Sequence, residues 1–341
     1  MKNLIIQGEN IGGLNYLLNH GFKEAIDLIY VDPPFATGSD FLVSEGRTST
    51  VSNSKSGRVA YTDKVTGNAF IKDIRERMIL AKELLSARGS IYLHTDYKIG
   101  HYLKVMMDGV FGIDHFRNDI TRIKCNPKNF KRTGYGNIKD MILFYSKGDK
   151  PIWHEPKEPY SPGDIERLYP KTDRYGRRYT TVPIHAPGEA LHPLPFKGNY
   201  PPAGRHWRTD VATLEQWDNE GLIEWSPTGN PRKIVYADEK EGKRIQDIWT
   251  FKDPAYPVYP TEKNADLLDL IIRTSSNQGS IVLDFYCGSG TTLKAAAQNG
   301  RKWIGIDQSE IAIEATKTKM ESFRPYRFID LNKPEASSNT P

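Results

Sequence analysis

The sequence has few cysteines and no long apolar run. Only two of its 341 residues are cysteine, and they form neither a C-x-x-C pair nor a set that could build a disulfide framework. We therefore expect neither a structural zinc site nor a disulfide-stapled secreted fold. No stretch approaches the roughly 18 apolar residues of a membrane-spanning helix. The N-terminus lacks the apolar core and cleavage site of a signal peptide, so a cytoplasmic protein is expected.

The net charge is also small, and its distribution is more informative than its sum. The 47 Lys and Arg residues only slightly outnumber the 42 Asp and Glu residues. Residues 116–210 hold 18 basic and 10 acidic residues, whereas the remainder holds 29 basic and 32 acidic residues. One region is thus basic and the rest mildly acidic. This pattern is typical of a nucleic-acid partner, although an ordinary solvated surface produces it too.

Apolar segments of strand length alternate with segments of helical period near both ends of the chain. This alternation predicts an α/β fold with a mostly parallel sheet covered on both faces. Gly89 is expected to end the second helix. The predicted strands are 3–8, 25–31, 90–93, 119–124, 141–145, 280–285 and 303–307. The predicted helices are 11–20, 70–87, 99–111, 264–275, 291–299 and 311–320.

Other segments lack this regularity. Residues 36–68 are rich in Gly, Ser and Thr, and we expect a lid that orders over a ligand. From 148 to 247 prolines cluster, and aromatic residues alternate with basic ones, which predicts a loop-rich inserted module. The histidines of this module lack ligand spacing, so no metal is expected. Residues 331–341 are expected to form a disordered tail.

A strand that enters a glycine-rich turn forms the first candidate site. Asp307 ends the next strand about 20 residues on, where Rossmann-type sites hold the carboxylate that receives ribose hydroxyls. The turn carries Gly-x-Gly rather than the full dinucleotide fingerprint, which favours a smaller adenosyl ligand. Taken alone, a tight strand–helix turn with a buried aspartate is the alternative. The candidate cofactor residues in this turn are Asp284, Phe285, Gly288, Gly290, Thr291 and Thr292.

Residues 32–35, Asp-Pro-Pro-Phe, form the second candidate site at the end of an apolar strand. Pro33 and Pro34 fix the backbone, so that the Asp32 carboxylate and the Pro33 carbonyl can point in one direction. Two acceptors suit a planar –NH₂ group with two hydrogens, and Phe35 offers a face on which a flat ring can stack. A plain strand-terminating turn is the alternative for this motif by itself.

Together the two sites resemble the DNA amino-methyltransferases, which transfer methyl from S-adenosyl-L-methionine to an exocyclic base nitrogen. Their [DNS]-P-P-[YF] signature matches residues 32–35, and their F-x-G-x-G loop matches residues 285–290. The base-amine motif comes first and the basic module lies between, which is the order of the β class that includes type II and type III modification enzymes. Residues 259–264 resemble the family's [HY]-P-T-[QE]-K-P box, with Asn264 replacing its last proline. Residues 7–10 resemble the G-D-x element, with Glu for Asp.

The resemblance implies a Rossmann-like class I methyltransferase sheet that is circularly permuted. Residues 280–307 would supply its first two strands, and the N-terminal strands would follow them. It implies one catalytic domain, residues 1–147 with 248–330, interrupted by a target-recognition insertion at 148–247. It also adds three residues to those that would bind the cofactor, S-adenosyl-L-methionine: Thr261, Lys263 and Glu9.

The implied reaction is methylation of the N6 amine of an adenine flipped out of duplex DNA. Phe35 would stack on the base, while Asp32 and the Pro33 carbonyl would accept the amine hydrogens. Asp at position 32 favours adenine by family habit. Cytosine N4 is the first alternative, and a catalytically inactive DNA-binding specificity module is the second.

The implied partner is double-stranded DNA in a prokaryotic cytoplasm near the nucleoid, with no membrane. A homodimer and a restriction subunit are left open as further partners. Basic residues of the 124–132 loop are expected to touch phosphates, and those of the insertion to touch phosphates or base edges. The candidate DNA contacts are Lys124, Lys128, Lys131, Arg132, Arg177, Arg178, Arg205 and Arg208.

Overall fold

The computed structural model describes residues 3–34, 40–43, 58–62, 67–127, 129, 131, 133–254 and 263–333. The chain divides into two compact units, residues 1–156 with 246–341 and residues 157–245. No helix among the described residues is long and apolar enough to cross a membrane.

The strands lie mainly where apolar segments predicted them, and further short strands occur in the middle of the chain. They are β1 (Asn3–Gln7), β2 (Ile26–Val31), β3 (Asp40–Val43), β4 (Arg58–Thr62), β5 (Leu85–Thr95), β6 (Phe116–Ile123), β7 (Lys139–Ser146), β8 (Lys157–Glu158), β9 (Lys171–Thr172), β10 (Arg178–Pro183), β11 (His185–Pro187), β12 (Arg205–Trp207), β13 (Ile223–Trp225), β14 (Pro231–Tyr236), β15 (Lys243–Arg244), β16 (Ile248–Thr250), β17 (Ile281–Asp284), β18 (Lys302–Asp307) and β19 (Tyr326–Asp330).

The helices of the first unit follow the predicted periods closely, and two short helices belong to the second unit. They are α1 (Asn10–Asn19), α2 (Asn68–Leu84), α3 (Gly100–Phe111), α4 (Pro162–Leu168), α5 (Val211–Asn219), α6 (Ala265–Ser275), α7 (Thr291–Gln298) and α8 (Glu310–Lys319).

The central sheet of the first unit has the order β16-β6-β7-β5-β2-β17-β18-β1-β19 in the described residues. Its neighbouring strands run parallel, except that β7 is antiparallel to both β5 and β6. The C-terminal strands β17 and β18 lie in the middle, between the N-terminal strands β2 and β1. This arrangement confirms the α/β class and the permuted methyltransferase sheet.

Both faces of this sheet are buried, as a parallel sheet requires. Along β2, Ile29 and Val31 belong to the core cluster that also holds Leu14, Met78 and Leu103 from helices α1, α2 and α3. Leu28 and Tyr30 point the other way and are buried as well. Since the strands are parallel, their carboxyl ends meet at one edge, where ligands bind in folds of this kind.

The end of the second predicted helix needs a correction. Helix α2 ends at Leu84, not Ala87, and Gly89 lies inside β5 beside a shift in its register with β2. A Cβ on Gly89 would lie 2.8 Å from the carbonyl oxygen of Ile26. The glycine therefore serves the close approach of two strands rather than the end of a helix.

Strands β16 and β19, which form the two edges of the sheet, were missing from the sequence prediction. Edge strands of three and five residues that are partly exposed lack a continuous apolar pattern. Residues 331–333 were expected to belong to a disordered tail, but they are among the described residues, and the Leu331 amide donates to the carbonyl of Gln7. Residues 334–341 lie outside the described residues.

The 36–68 segment contains the antiparallel pair β3 and β4. Most of its other residues lie outside the described part of the chain, so the expected lid stays a prediction.

The second unit has a small core of its own. A sheet of order β13-β14-β10-β9 lies beside a cluster of Ile184, Phe196 and Leu214, on which Trp207 and Trp217 pack. The unit spans Lys157–Ile245, whereas the inserted module was predicted at 148–247. Residues 148–156 belong to the first unit, where the Ile152 amide donates to the carbonyl of Arg88.

Candidate active site

The glycine-rich turn and Asp307 lie together at the carboxyl ends of β17 and β18. The backbone amide of Gly288 donates to one carboxylate oxygen of Asp307 at 2.9 Å, and that of Ser309 donates to the other at 2.9 Å. Burial raises the pKa of Asp307, and these amide hydrogen bonds oppose that shift. A carboxylate has about four lone-pair sites, so Asp307 keeps acceptors for ribose hydroxyls.

Gly290 shows why this turn needs glycine. It has a φ of +77°, and a Cβ there would lie 3.0 Å from the side chain of Thr316. The Thr316 hydroxyl donates to the carbonyl of Gly288 at 2.7 Å, which ties α8 to the turn. The Lys319 ammonium donates to the hydroxyls of Ser289 and Thr291, both at 2.9 Å. Sequence reasoning missed Thr316 and Lys319, because their spacing on α8 forms no motif.

Asp284 and Phe285 are buried where β17 enters the turn. Burial raises the pKa of Asp284 to about 7, and the nearby charges of Asp32 and Asp307 add to the shift. Hydrogen bonds from the Thr292 side chain and the Tyr286 amide act in the opposite direction.

These residues fit an adenosyl ligand. The buried carboxyl of Asp284 lies at the end of β17, and the Asp307 carboxylate lies at the end of β18. Between them lies the turn, whose glycines carry no side chains. Asn10 supports the turn, since its side-chain amide donates to the carbonyl of Phe285 at 2.5 Å.

Asp32 follows β2, the strand next to β17, so its carboxylate lies at the same edge as the turn. Its Oδ2 lies 3.0 Å from the Lys263 ammonium, and both side chains are nearly buried. Its Oδ1 is buried, and none of the residues that the structure describes forms a hydrogen bond with it. Phe35 and Thr261 lie outside the described residues.

A buried polar chain runs from β2 across β5 to β7 beside Asp32. The Tyr30 hydroxyl lies 2.7 Å from Nδ1 of His94, whose Nε2 lies 3.3 Å from Asp140. Burial lowers the pKa of His94, and the Lys263 ammonium lowers it further. Burial alone would raise the pKa of Asp140, but His94 and Lys124 outweigh it and hold that pKa well below its usual range. Single buried polar residues inside apolar strands carry no sequence signal, so Tyr30, His94 and Asp140 were missed.

Glu9, expected among the cofactor residues, caps helix α1 by accepting from the Gly12 amide. Its carboxylate also lies 2.6 Å from the Arg77 guanidinium, which in turn pairs with Asp73. The structure thus gives Glu9 a role in holding α1 against α2.

The candidate DNA contacts are spread over both units, and some have acidic partners within the chain. Lys124 lies 2.6 Å from Asp140, and Arg177 pairs with Asp238 and Glu239. Lys131, Arg205 and Arg208 are exposed and Arg178 is half-buried, while Lys128 and Arg132 lie outside the described residues. The residues that the structure describes contain no cluster of side chains able to hold a metal ion.

Comparison with known proteins identifies a family and several relatives. The profile of the DNA methylase family matches residues 26–318. The type II methyltransferase M.EcaI of Enterobacter cloacae is 40% identical over 331 residues, which cover 95% of this chain and 70% of that protein. The Mod subunit of the type III restriction-modification enzyme StyLTI of Salmonella typhimurium is 26% identical over 330 residues, 86% of this chain and 49% of the subunit. The chain therefore spans only about half of the latter relative.

Among solved structures, the PvuII DNA methyltransferase (cytosine-N4-specific) matches with a TM-score of 0.52 at 12% identity, over 98% of this chain and 97% of that one. This likeness concerns the fold. The chain is a methyltransferase whose cofactor is S-adenosyl-L-methionine. It combines the permuted sheet with the glycine turn and with Asp307 at the end of the next strand. The chain belongs to the DNA methylase family.

Proposed function

We propose that this DNA methylase transfers methyl to the N6 amine of an adenine flipped out of duplex DNA. The observation that carries the proposal is the Asp32 carboxylate beside the glycine turn, whose buried Oδ1 has no hydrogen-bond partner in the described part of the chain. Leaving a buried carboxylate oxygen unpaired is costly, so such a group is retained where a ligand completes it. An amine hydrogen of a flipped base is the donor that fits.

The exocyclic amine is a poor nucleophile because its lone pair is delocalised into the ring. When bound, S-adenosyl-L-methionine supplies a methyl carbon that its sulfonium makes electrophilic; the amine lone pair takes the methyl, the S–C pair stays on sulfur, and one amine proton is lost. Asp32 Oδ1 would accept that proton through the hydrogen bond that it forms with the amine of the bound base. Placing the reactants in line can supply up to roughly 7–11 kcal/mol of the barrier.

Support for adenine comes from the acid at position 32, since cytosine-N4 members of the resembled family more often carry Ser there. The Pro33 carbonyl would accept the second amine hydrogen and Phe35 would stack on the base. The cytosine amine presents the same two hydrogens, so the two bases differ mainly in the ring that the pocket must accept.

We also propose that the second unit, residues 157–245, recognises the target sequence and that the chain serves a restriction-modification system. The exposed basic residues Arg205 and Arg208 and the local excess of positive charge support a DNA-facing role. The names of the two relatives support the restriction-modification setting.

Asp32→Ala tests the proposal. We expect methyl transfer to DNA, measured with tritiated cofactor, to fall by at least 10³-fold, because the amine loses its acceptor. Calorimetric affinity for the cofactor should stay within about threefold, since the glycine turn is untouched. Asp27→Ala, a change near the start of the same strand, is the control and should keep near-native transfer. Native transfer rates in Asp32→Ala would contradict the mechanism.

A further inference from the structure

The sequence did not predict the ion pair between Lys263 and Asp32. It predicted instead that Lys263 binds the cofactor. The ammonium lies 3.0 Å from Oδ2, and the side chains of Lys263 and Asp32 are only 10% and 14% exposed. A nearly buried ammonium is costly unless an anion compensates it. Asp32 supplies that anion.

The neighbourhood of Lys263 holds its side chain in place. Asn264, which replaces the family's proline, caps helix α6 by accepting from the amides of Asp266 and Leu267. Its side-chain NH₂ group donates to the carbonyl of Lys252 at 3.0 Å. These hydrogen bonds fix the backbone next to Lys263, the residue just before the cap.

The two oxygens of Asp32 differ in a way that assigns them different tasks. Lys263 holds Oδ2, whereas Oδ1 is buried and has no hydrogen-bond partner among the described residues. We propose that Lys263 is a positioning residue, which holds Oδ2 so that Oδ1 faces the amine of the target base. The inference rests on the proposed methylation and names a residue that acts through Asp32.

The other groups around Asp32 make such a cation necessary. Tyr30 of β2, His94 of β5 and Asp284 of β17 interact electrostatically with Asp32. Tyr30 and Asp284 cannot supply a positive charge, and burial lowers the pKa of His94, which disfavours its charged form. Among these described groups, Lys263 is therefore the one that holds Oδ2 by its charge.

The test compares single-turnover methylation of DNA by the wild type, Lys263→Met and Lys263→Arg. Lys263→Met should be at least tenfold slower, because Oδ1 is no longer held toward the amine, while its KM for DNA should stay within about threefold. Lys263→Arg should restore most of the wild-type rate, since it keeps a cation beside Oδ2. Lys104→Met is the control, because Lys104 pairs with Asp108 at 2.7 Å with side chains 26% and 24% exposed; its rate should stay near that of the wild type.

Cofactor affinity, measured by calorimetry without DNA, separates the two roles of Lys263. Our inference predicts a change of less than about threefold in Lys263→Met. A near-native methylation rate in Lys263→Met would overturn it, and cofactor binding weakened more than tenfold would return Lys263 to the cofactor. A wild-type protein that methylates no DNA at any pH would overturn the proposed function together with this inference.

Discussion

At the scale of single residues, three carboxylates share one edge of the sheet, and each is stabilised differently. Asp307 accepts hydrogen bonds from two backbone amides, and Asp32 forms an ion pair with Lys263. Asp284 accepts hydrogen bonds from the Thr292 side chain and the Tyr286 amide, and burial raises its pKa to about 7. The motifs at 32–35 and 284–290 predicted these acids because strand ends and glycine turns leave a sequence pattern. The partners could not be predicted, since Lys263 and His94 meet Asp32 only through the folded sheet.

The raised pKa of Asp284 predicts how stability depends on pH. The folded state holds the proton up to about pH 7, whereas an unfolded aspartate releases it near 3.8. Between these values the folded state binds more protons, so stability falls as the pH rises. Asp284→Asn removes the titration, and without cofactor its free energy of unfolding should exceed that of the wild type by roughly 2–4 kcal/mol at pH 8.

Urea unfolding of the cofactor-free proteins at pH 4.5 and pH 8 measures this difference. The difference should be much smaller at pH 4.5, because Asp284 is still protonated in the folded state and this pH lies only about 0.7 units above the unfolded value of 3.8, so little of the pH-dependent loss of stability has developed. Asp114→Asn, at an exposed position, should show the same small difference at both pH values. A difference for Asp284→Asn that does not grow with pH would contradict the raised pKa.

At the scale of elements, the sequence predicted the strands and helices of the first unit where both faces are apolar or the period is regular. It misread Gly89, because a glycine after a helical pattern resembles a helix stop, while this one allows β2 and β5 to approach. The edge strands β16 and β19 were missed, since partial exposure removes their apolar pattern. Gly305 in β18 is a second glycine at a close approach, here between the strand backbone and neighbouring side chains.

Gly305→Ala tests that packing. A Cβ at this position would lie 2.5 Å from a methyl of Leu293 on α7 and 3.1 Å from the Cys287 sulfur in the cofactor turn. Overpacking of this kind typically costs about 1–3 kcal/mol, and it should also weaken cofactor binding through the displaced turn. Denaturant unfolding and calorimetry measure the two effects.

The control is Gly109→Ala, in helix α3, where the added Cβ meets no described atom within 4 Å apart from its chain neighbours and the backbone of its own helix. There the alanine should stabilise the protein by about 0.5–1 kcal/mol, because glycine is a poor helix former. Equal stability changes in the two variants would show that Gly305 is not needed for close packing.

At the scale of the whole molecule, the order of the motifs along the chain predicted the permutation. A base-amine motif before the cofactor turn requires the C-terminal strands to enter the middle of the sheet, and β17 and β18 lie there. The limits of the second unit were less predictable, because residues 148–156 belong to the first unit although prolines begin to cluster there. The excess of basic residues at 116–210 spans β6, β7 and part of the second unit, and its role in DNA binding stays a prediction.

The most direct test of the central claim identifies the methylated base. Unmethylated genomic DNA is incubated with the protein and S-adenosyl-L-methionine, digested to nucleosides and examined by mass spectrometry, with Asp32→Ala in parallel. We predict N6-methyladenine from the wild type and at least 10³-fold less from the variant. N4-methylcytosine in its place would contradict the assignment of adenine, and the absence of any methylated nucleoside would contradict the function proposed for the site.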